Sequence, residues 1–365
     1  MKTIVVFFGG KSVEHDVSII TGVMTLNSID KEKYLPVPIY VDKKGEWYTG
    51  NILKDPDEYN NLNYKKLNRV TLIGGSNVLY RVKNNRLKPI DSVAVAINCM
   101  HGGAGEDGSF AGLLKSCGIP LASPPVLPSA VSMDKRFTKT VMSGLKVKTL
   151  PFVFAKKESD AETAEKTLQY PMIVKPNLLG SSIGVMRAKD KGQLVAAIRY
   201  ALKFGSGAII EPCLEDFIEI NCAAYLSGNK EIMVSECERP VGRDKILTFG
   251  DKYEDGKRVF PADIDKKLSD KIKRTTEKIY YELDFRGVIR IDYFISGGVV
   301  YLNEINAVPG SLSYYLFSKT LKGFTVMLGD MIALAEKEFA VSSTFKTDYK
   351  SGILSGVGSK GAKRL

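Results

Sequence analysis

Arg290, Asp292, Glu304 and Asn306 stand two residues apart on two apolar stretches, 288–296 and 299–305, joined through Gly297-Gly298. Side chains two apart on a strand share a face. Pairing Asp292 with Glu304 sets Arg290 opposite Asn306 and leaves a hairpin loop of Gly297-Gly298-Val299, a common length with a glycine bulge. One face then offers two carboxylates, an amide oxygen and a guanidinium. Hard oxygen donors with room for waters and phosphates suit Mg²⁺. A solvated salt-bridged face is the plainer alternative. However, Ile291, Tyr293, Phe294, Leu302 and Ile305 mark a buried hairpin, where so much polarity needs a partner.

Two further groups could do chemistry. Val174-Lys175-Pro176 precedes a loop with Gly180-Ser181-Ser182-Ile183-Gly184. A strand-end lysine beside a flexible Gly/Ser loop can hold nucleotide phosphates, and Lys135 at a helix start can add a second cation. Gly9-Gly10-Lys11-Ser12-Val13-Glu14-His15 follows the first apolar run. A carboxylate there, beside a helix start, can hold a substrate ammonium; a capping or surface Glu is the simpler alternative.

The elements that must position these residues follow from hydrophobic pattern. Residues 3–8 and 92–97 read as buried strands and 35–41 as another, with helices over about 17–29 and 108–116. Repeated strand–loop–helix order predicts an open parallel sheet, with ligands at the carboxyl ends of its strands. Short strand-like pieces lie at 69–73 and 78–82. A second unit starts near Pro124. It has a short helix at 133–143, a capping box at Ser159-Asp160-Ala161-Glu162, a strand at 171–175 with a hairpin partner at 183–187, and a strand at 208–211. A third unit starts near Pro212. It has strands at 217–225 and 232–237, a polar loop at 239–258, and a helix at 264–283 with Ile264, Leu268, Ile272, Ile279 and Leu283 on one face. The hairpin and a final helix around Phe324–Ala335 complete it.

Composition narrows the class. The 365 residues are 44% hydrophobic and 25% charged, which excludes disorder across the chain. No apolar run is long enough to span a bilayer, so no membrane is expected. The first residues read as a buried strand rather than a secretory signal. Cys99, Cys117, Cys213, Cys222 and Cys237 are odd in number and widely spaced, which predicts free thiols in a reducing cytoplasm. Net charge is +11, yet the basic residues are scattered, so no nucleic acid is expected and the charge suits a polyphosphate substrate. The tail from Val341 is basic and reads as poorly ordered. Gly10-Lys11-Ser12 fails as a P-loop because Val5 stands where glycine is required. Gly356-x-Gly358-x-x-Gly361 lacks the strand before it and the helix after it.

Taken together, Gly-Gly-x-Ser-x-Glu at 9–14, His-Gly-x-x-Gly-Glu-Asp-Gly at 101–108, Met-Asp-Lys at 133–135, Val-Lys-Pro with Gly-Ser-Ser-x-Gly at 174–184, Arg-Ile-Asp at 290–292 and Asn-Glu-Ile-Asn-x-x-Pro-Gly at 303–310 resemble the D-alanine–D-alanine ligase family of the ATP-grasp superfamily. The motifs appear in the family's order over about residues 3–340. The resemblance implies an α/β fold, α+β in its ATP-grasp part. It comprises an N-terminal substrate-binding sheet (1–123) followed by two ATP-grasp lobes clamping ATP (124–211 and 212–340), with the basic tail at 341–365.

It also implies roles. Lys135 and Lys175 would contact the ATP phosphates, Glu211 and Leu214 the adenine and Glu219 the ribose, with Ser181, Ser182, Lys252 and Asn303 also in the nucleotide site. Asp292, Glu304 and Asn306 would hold two Mg²⁺, with Mn²⁺ as a substitute. Glu14 would bind the ammonium of the first D-alanine, near His101, and Ser181 would link Glu14 to Tyr253. Arg290 would stabilise the transferring phosphoryl group and the oxyanion, and Arg290 with the Gly310 N–H would meet the second substrate's carboxylate. The implied chemistry joins D-alanine to a second small D-amino acid through an acylphosphate for peptidoglycan synthesis, in a cytoplasmic homodimer. The stretch 311–317 departs from the pattern: Tyr315 falls near the small or hydroxyl-bearing residue that meets the second substrate's carboxylate. Three alternatives stay open. One is another acceptor such as D-serine or D-lactate, another a nicotinamide-dependent oxidoreductase, and the third a silent ATP-binding module.

Overall fold

A computed structural model describes residues 1–241, 258–349 and 351. Its first strand, β1 (Lys2–Gly9), is apolar from Ile4 to Phe8 because both faces are covered there, and those five residues are wholly buried. α1 (His15–Ser28) packs on it. Gly22 permits the approach, since a Cβ there would sit 2.3 Å from the Phe8 ring. β2 (Tyr34–Val41), β3 (Trp47–Thr49), β4 (Asn68–Ile73), β5 (Ser76–Lys83) and β6 (Arg86–Asn98) follow. β1 lies parallel between β2 and β6, as a doubly covered sheet requires.

The expected open sheet is not observed. β2 to β6 pair antiparallel in sequence, and the strands close into a barrel in the order β1-β2-β3-β4-β5-β6. Tight turns cause this. Asn84 and Asn85 both adopt positive φ, which folds β6 back along β5 and on to β1.

α2 (Ser109–Ser116), α3 (Val126–Met133) and α4 (Lys135–Gly144) come next. The short helix expected at 133–143 is α4, and α3 before it is a further helix, separated from α4 at Asp134. The Asp134 carboxylate caps α4 by accepting from the Phe137 N–H at 2.9 Å, so Lys135 opens the helix. β7 (Val153–Ala155), α5 (Ala161–Thr167), β8 (Met172–Pro176), β9 (Met186–Ala188), α6 (Lys191–Ala201) and β10 (Ala208–Pro212) form an antiparallel sheet, order β7-β10-β8-β9, backed by helices. The expected capping box at Ser159 does not form. α5 starts later, and the Asp160 carboxylate instead accepts from the N–H groups of Lys156 and Lys157.

β11 (Ile218–Leu226), β12 (Ile232–Val234), β13 (Arg239–Pro240), β14 (Arg258–Val259), α7 (Lys266–Glu282), β15 (Val288–Ser296), β16 (Val299–Asn306) and α8 (Leu321–Ser342) complete the chain. A four-stranded antiparallel sheet, order β12-β11-β15-β16, rests on α7 through Ile272 and Ile279. α8 leaves this sheet. Its apolar face (Phe324, Met327, Leu328, Met331, Ile332) joins one core with Ile19, Val23 and Leu26 of α1. That cluster also takes in Val308 and Leu312, so the segment after β16 is anchored to the first unit.

Candidate active site

The hairpin of β15 and β16 carries the densest polarity. Arg290 faces Asn306 and Asp292 faces Glu304, in the expected register. Beyond Asp292 the register shifts by one, so Tyr293 faces Leu302 and the turn is Gly297-Gly298 alone, both at positive φ, in place of the expected three-residue loop. The extra residue of this bulge is Asn303. Bulges re-aim side chains, and here both Asn303 and Glu304 line the same cavity.

Pairing extends the row across the sheet: Glu238 faces Asn221, Asn221 faces Asp292, and Asp292 faces Glu304. Asp292 is wholly buried, and both its oxygens accept from Arg290, at 2.7 Å (Nε) and 3.0 Å (Nη2). Burial works against the Arg290 charge, but Asp292 outweighs it and holds the guanidinium above its ordinary range. Glu238 runs the other way: burial raises its carboxyl despite nearby arginines. Asn221 Oδ1 is buried without a hydrogen-bond partner among the described residues. Two opposed carboxylates beside an amide oxygen are a donor set that fits a hard divalent cation.

Across the cavity stand buried cations. Lys175, at the end of β8, pairs with Glu211 of β10 at 2.7 Å and donates to Asn303 Oδ1 at 3.2 Å. Lys135, at the start of α4, donates to the Leu179 carbonyl at 2.6 Å and lies 3.9 Å from Glu304. Burial lowers the Lys135 pKa, while Glu304 opposes the shift. Glu211 also pairs with Lys139. Burial pushes the Glu211 carboxyl up, yet Lys175 and Lys139 together hold it below the ordinary value. Ser181 and Ser182 both adopt positive φ, curling their loop over this wall. Ser182, Leu214 and Glu219 also line the cavity, with Ile173, Phe217 and Phe294 as its apolar part.

A second, polar cavity adjoins the first. Glu14, Glu106, Lys135, Gly180, Glu304 and Asn306 line it. Ser181 Oγ donates to Glu14 Oε1. Gly102 lies hard against this group. A Cβ there would sit 2.4 Å from Ser12 Oγ and 2.7 Å from Glu14 Oε2, and its φ is positive. Glu106 accepts from the Gly102 N–H at 2.7 Å and the Val308 N–H at 3.0 Å. Burial, with Glu14 nearby, pushes the Glu106 carboxyl up to about 8. His101 is buried outside the cavity lining. Its Nε2 hydrogen-bonds with the Thr21 hydroxyl at 2.9 Å, and Thr21 Oγ1 in turn accepts from the Ser311 N–H at 3.0 Å. Burial lowers the His101 pKa to about 4, so the ring is neutral at pH 7.

Gly310 opens the turn Gly310–Leu316, where Ser311, Leu312 and Ser313 are consecutively left-handed. Tyr315 in this turn carries the Arg258 guanidinium 4.3 Å above its ring. Lys252 and Tyr253 lie outside the described residues. The structure therefore gathers Glu14, Lys135, Lys175, Ser181, Ser182, Glu211, Leu214, Glu219, Asn303, Glu304 and Asn306 around two adjoining cavities, with Arg290 and Asp292 paired in the hairpin face beside them. His101, Gly310 and Tyr315 stand behind or beside these walls. Sequence reasoning missed Glu106, Lys139, Asn221, Glu238 and Arg258. Glu106 lay inside a recognised motif, and Lys139 is one helical turn from Lys135, a usable signal. The other three depend on strand pairing.

Comparison with known proteins places the chain in a family. The family described as "D-ala D-ala ligase N-terminus" matches residues 3–124, and "D-ala D-ala ligase C-terminus" matches 141–334. A D-alanine–D-alanine ligase of Thermosipho melanesiensis is 36% identical over 351 residues, covering 93% of this chain and 95% of that protein. The crystal structure of the Helicobacter pylori D-alanine–D-alanine ligase is 29% identical, with a TM-score of 0.75 over 91% of this chain and 98% of that one. The VanG D-Ala:D-Ser ligase from Enterococcus faecalis is 26% identical, with a TM-score of 0.76 over 92% and 99% of the two chains. This chain belongs to the D-alanine–D-alanine ligase family.

Proposed function

We propose that this protein joins two D-alanines in an ATP- and Mg²⁺-dependent reaction, supplying D-alanyl-D-alanine for peptidoglycan precursors. One observation carries the reading. The two cavities share a wall of Lys135, Leu179, Gly180 and Glu304, so a nucleotide's terminal phosphate and a small amino acid can meet there.

The apolar slot around Ile173, Leu214, Phe217 and Phe294 takes the adenine, with Glu211 at its polar edge and Glu219 toward the ribose. Lys135 and Lys175 face the phosphates, helped by the Ser181–Ser182 loop. Glu14 holds the first D-alanine's ammonium, which turns its carboxylate toward the γ-phosphate. Asp292, Glu304 and Asn306 would hold Mg²⁺, two ions in this reading, which neutralises phosphate charge. That carboxylate attacks the γ-phosphorus, releasing ADP and leaving D-alanyl phosphate. The amine of the second D-alanine attacks its carbonyl, and phosphate departs. No protein nucleophile is needed, because the substrates' carboxylate and amine are themselves the nucleophiles; Arg290 meets the developing negative charge, and the Gly310 N–H the second substrate's carboxylate.

The same reading divides the chain into a substrate unit (1–123) and two ATP-grasp lobes (124–211, 212–340) that clamp the nucleotide, in a cytoplasmic homodimer. Tyr315 favours one second reading, a different acceptor, because a bulky phenol replaces a small residue there. Phosphate release on mixing the protein with ATP, Mg²⁺ and D-alanine tests the function. Release that requires all three supports it, and none would refute it. Identifying the product as dipeptide, D-alanyl-D-serine or ester decides the acceptor.

A further inference from the structure

Lys139 is a buried cation that the reaction above does not use. Its side chain is only 2% exposed and lies behind the nucleotide cavity rather than along it. Nζ pairs with Glu211 Oε1, donates to the Leu150 carbonyl at 3.2 Å, and sits 5.6 Å from the Phe152 ring. The other Glu211 oxygen takes Lys175 at 2.7 Å. A single buried carboxylate thus lies between two ammonium groups, of which only Lys175 reaches the cavity.

The charge count matters because all three groups are out of water. One carboxylate against one lysine is a closed pair, and at low dielectric it would hold that lysine's charge strongly. With a second lysine behind it, the triad keeps one net positive charge, and the exposed end of that charge is Lys175. We propose that Lys139 is a positioning residue that neutralises Glu211 from behind and so leaves Lys175 free to serve a nucleotide phosphate. The inference rests on the reading of this cavity as an ATP site. Lys139 never touches the nucleotide; it acts through Glu211.

A purely structural role, tying α4 to the Leu150 strand entry, would predict something different. The test is ATP binding by calorimetry, with KM for ATP and for D-alanine, in Lys139→Met, Glu211→Gln and the double variant. Lys139→Met should weaken ATP binding by about tenfold or more and leave the D-alanine KM within about twofold. Glu211→Gln is the reference for the double variant, so that any loss of Glu211's own contact with the adenine cancels: in that background Lys139→Met should weaken ATP binding by no more than about twofold, because no Glu211 charge remains to hold Lys175. Lys139→Arg, which keeps the charge, should retain ATP affinity within about threefold. If Lys139→Met does not fold, Lys139→Gln takes its place, since it keeps a donor for Leu150. Unchanged ATP affinity in the neutral variant overturns the proposal. So does a Lys139→Met loss as large in the Glu211→Gln background as in the wild type. A wild-type protein that binds no ATP refutes the site assignment itself, a separate outcome.

Discussion

Ser181 donates a hydrogen bond to Glu14 across 167 residues of chain, joining the loop at 180–184 to the carboxylate of the polar cavity. Glu14 is buried and lies beside Glu106. In the proposed reading its carboxylate takes the ammonium of the first D-alanine.

Glu14→Gln should therefore raise the D-alanine requirement at the first subsite by at least about tenfold, while the KM for ATP changes little. Initial rates over a grid of both substrates separate the two. Equal losses would assign Glu14 a structural role.

Glu304 faces Asp292 across the hairpin and approaches Lys135. Glu304→Gln keeps the shape but removes a charge from the proposed cation-binding set. Turnover should fall at least about tenfold, roughly 1.4 kcal/mol in the barrier, and the Mg²⁺ concentration for half-maximal rate should rise. Wild-type turnover would remove Glu304 from the metal shell.

His101 gives a pH signature. Its folded pKa of about 4 lies below the model-peptide value of 6.5, so the unfolded chain binds its proton first as pH falls. Stability from the neutral ring is complete above pH 6.5 and is lost toward pH 4. The stability gap between wild type and His101→Gln should shrink by about 3 kcal/mol over that window, measured by urea melts at each pH. Glu106, raised to about 8, acts oppositely, losing stability as pH rises. Using His101→Gln as the reference cancels its contribution.

Tyr315 spends its ring on Arg258 and offers only one hydroxyl to a carboxylate. Losing one good charge-assisted hydrogen bond at the second subsite corresponds to about 1.5–3 kcal/mol. Tyr315→Ser should accordingly improve dipeptide synthesis at low D-alanine, and Tyr315→Phe should not. Product assays with D-alanine, D-serine or D-lactate as acceptor, from about pH 6 to 9, check this. Preferential ester formation at neutral pH would overturn the assignment of an amine acceptor.

Sequence alone was enough where the controlling forces are local. The two-residue period set which hairpin side chains share a face, so Asp292 opposite Glu304 was legible before any coordinates. Lys135 at a helix start was legible as well, since Asp134 is a natural cap. Tertiary structure decided the rest. The bulge that turns Asn303 toward Lys175 depends on a tight Gly297-Gly298 turn competing with the strand register, which pattern cannot weigh. Closure of the first sheet rests on chain reversals whose partners lie far apart in sequence. The Lys139–Glu211–Lys175 group, two buried lysines on one carboxylate, exists only after α4, β8 and β10 have packed. Residue types and short-range periodicity are written along the chain, whereas long-range pairing is settled by burial and charge summed over the whole fold.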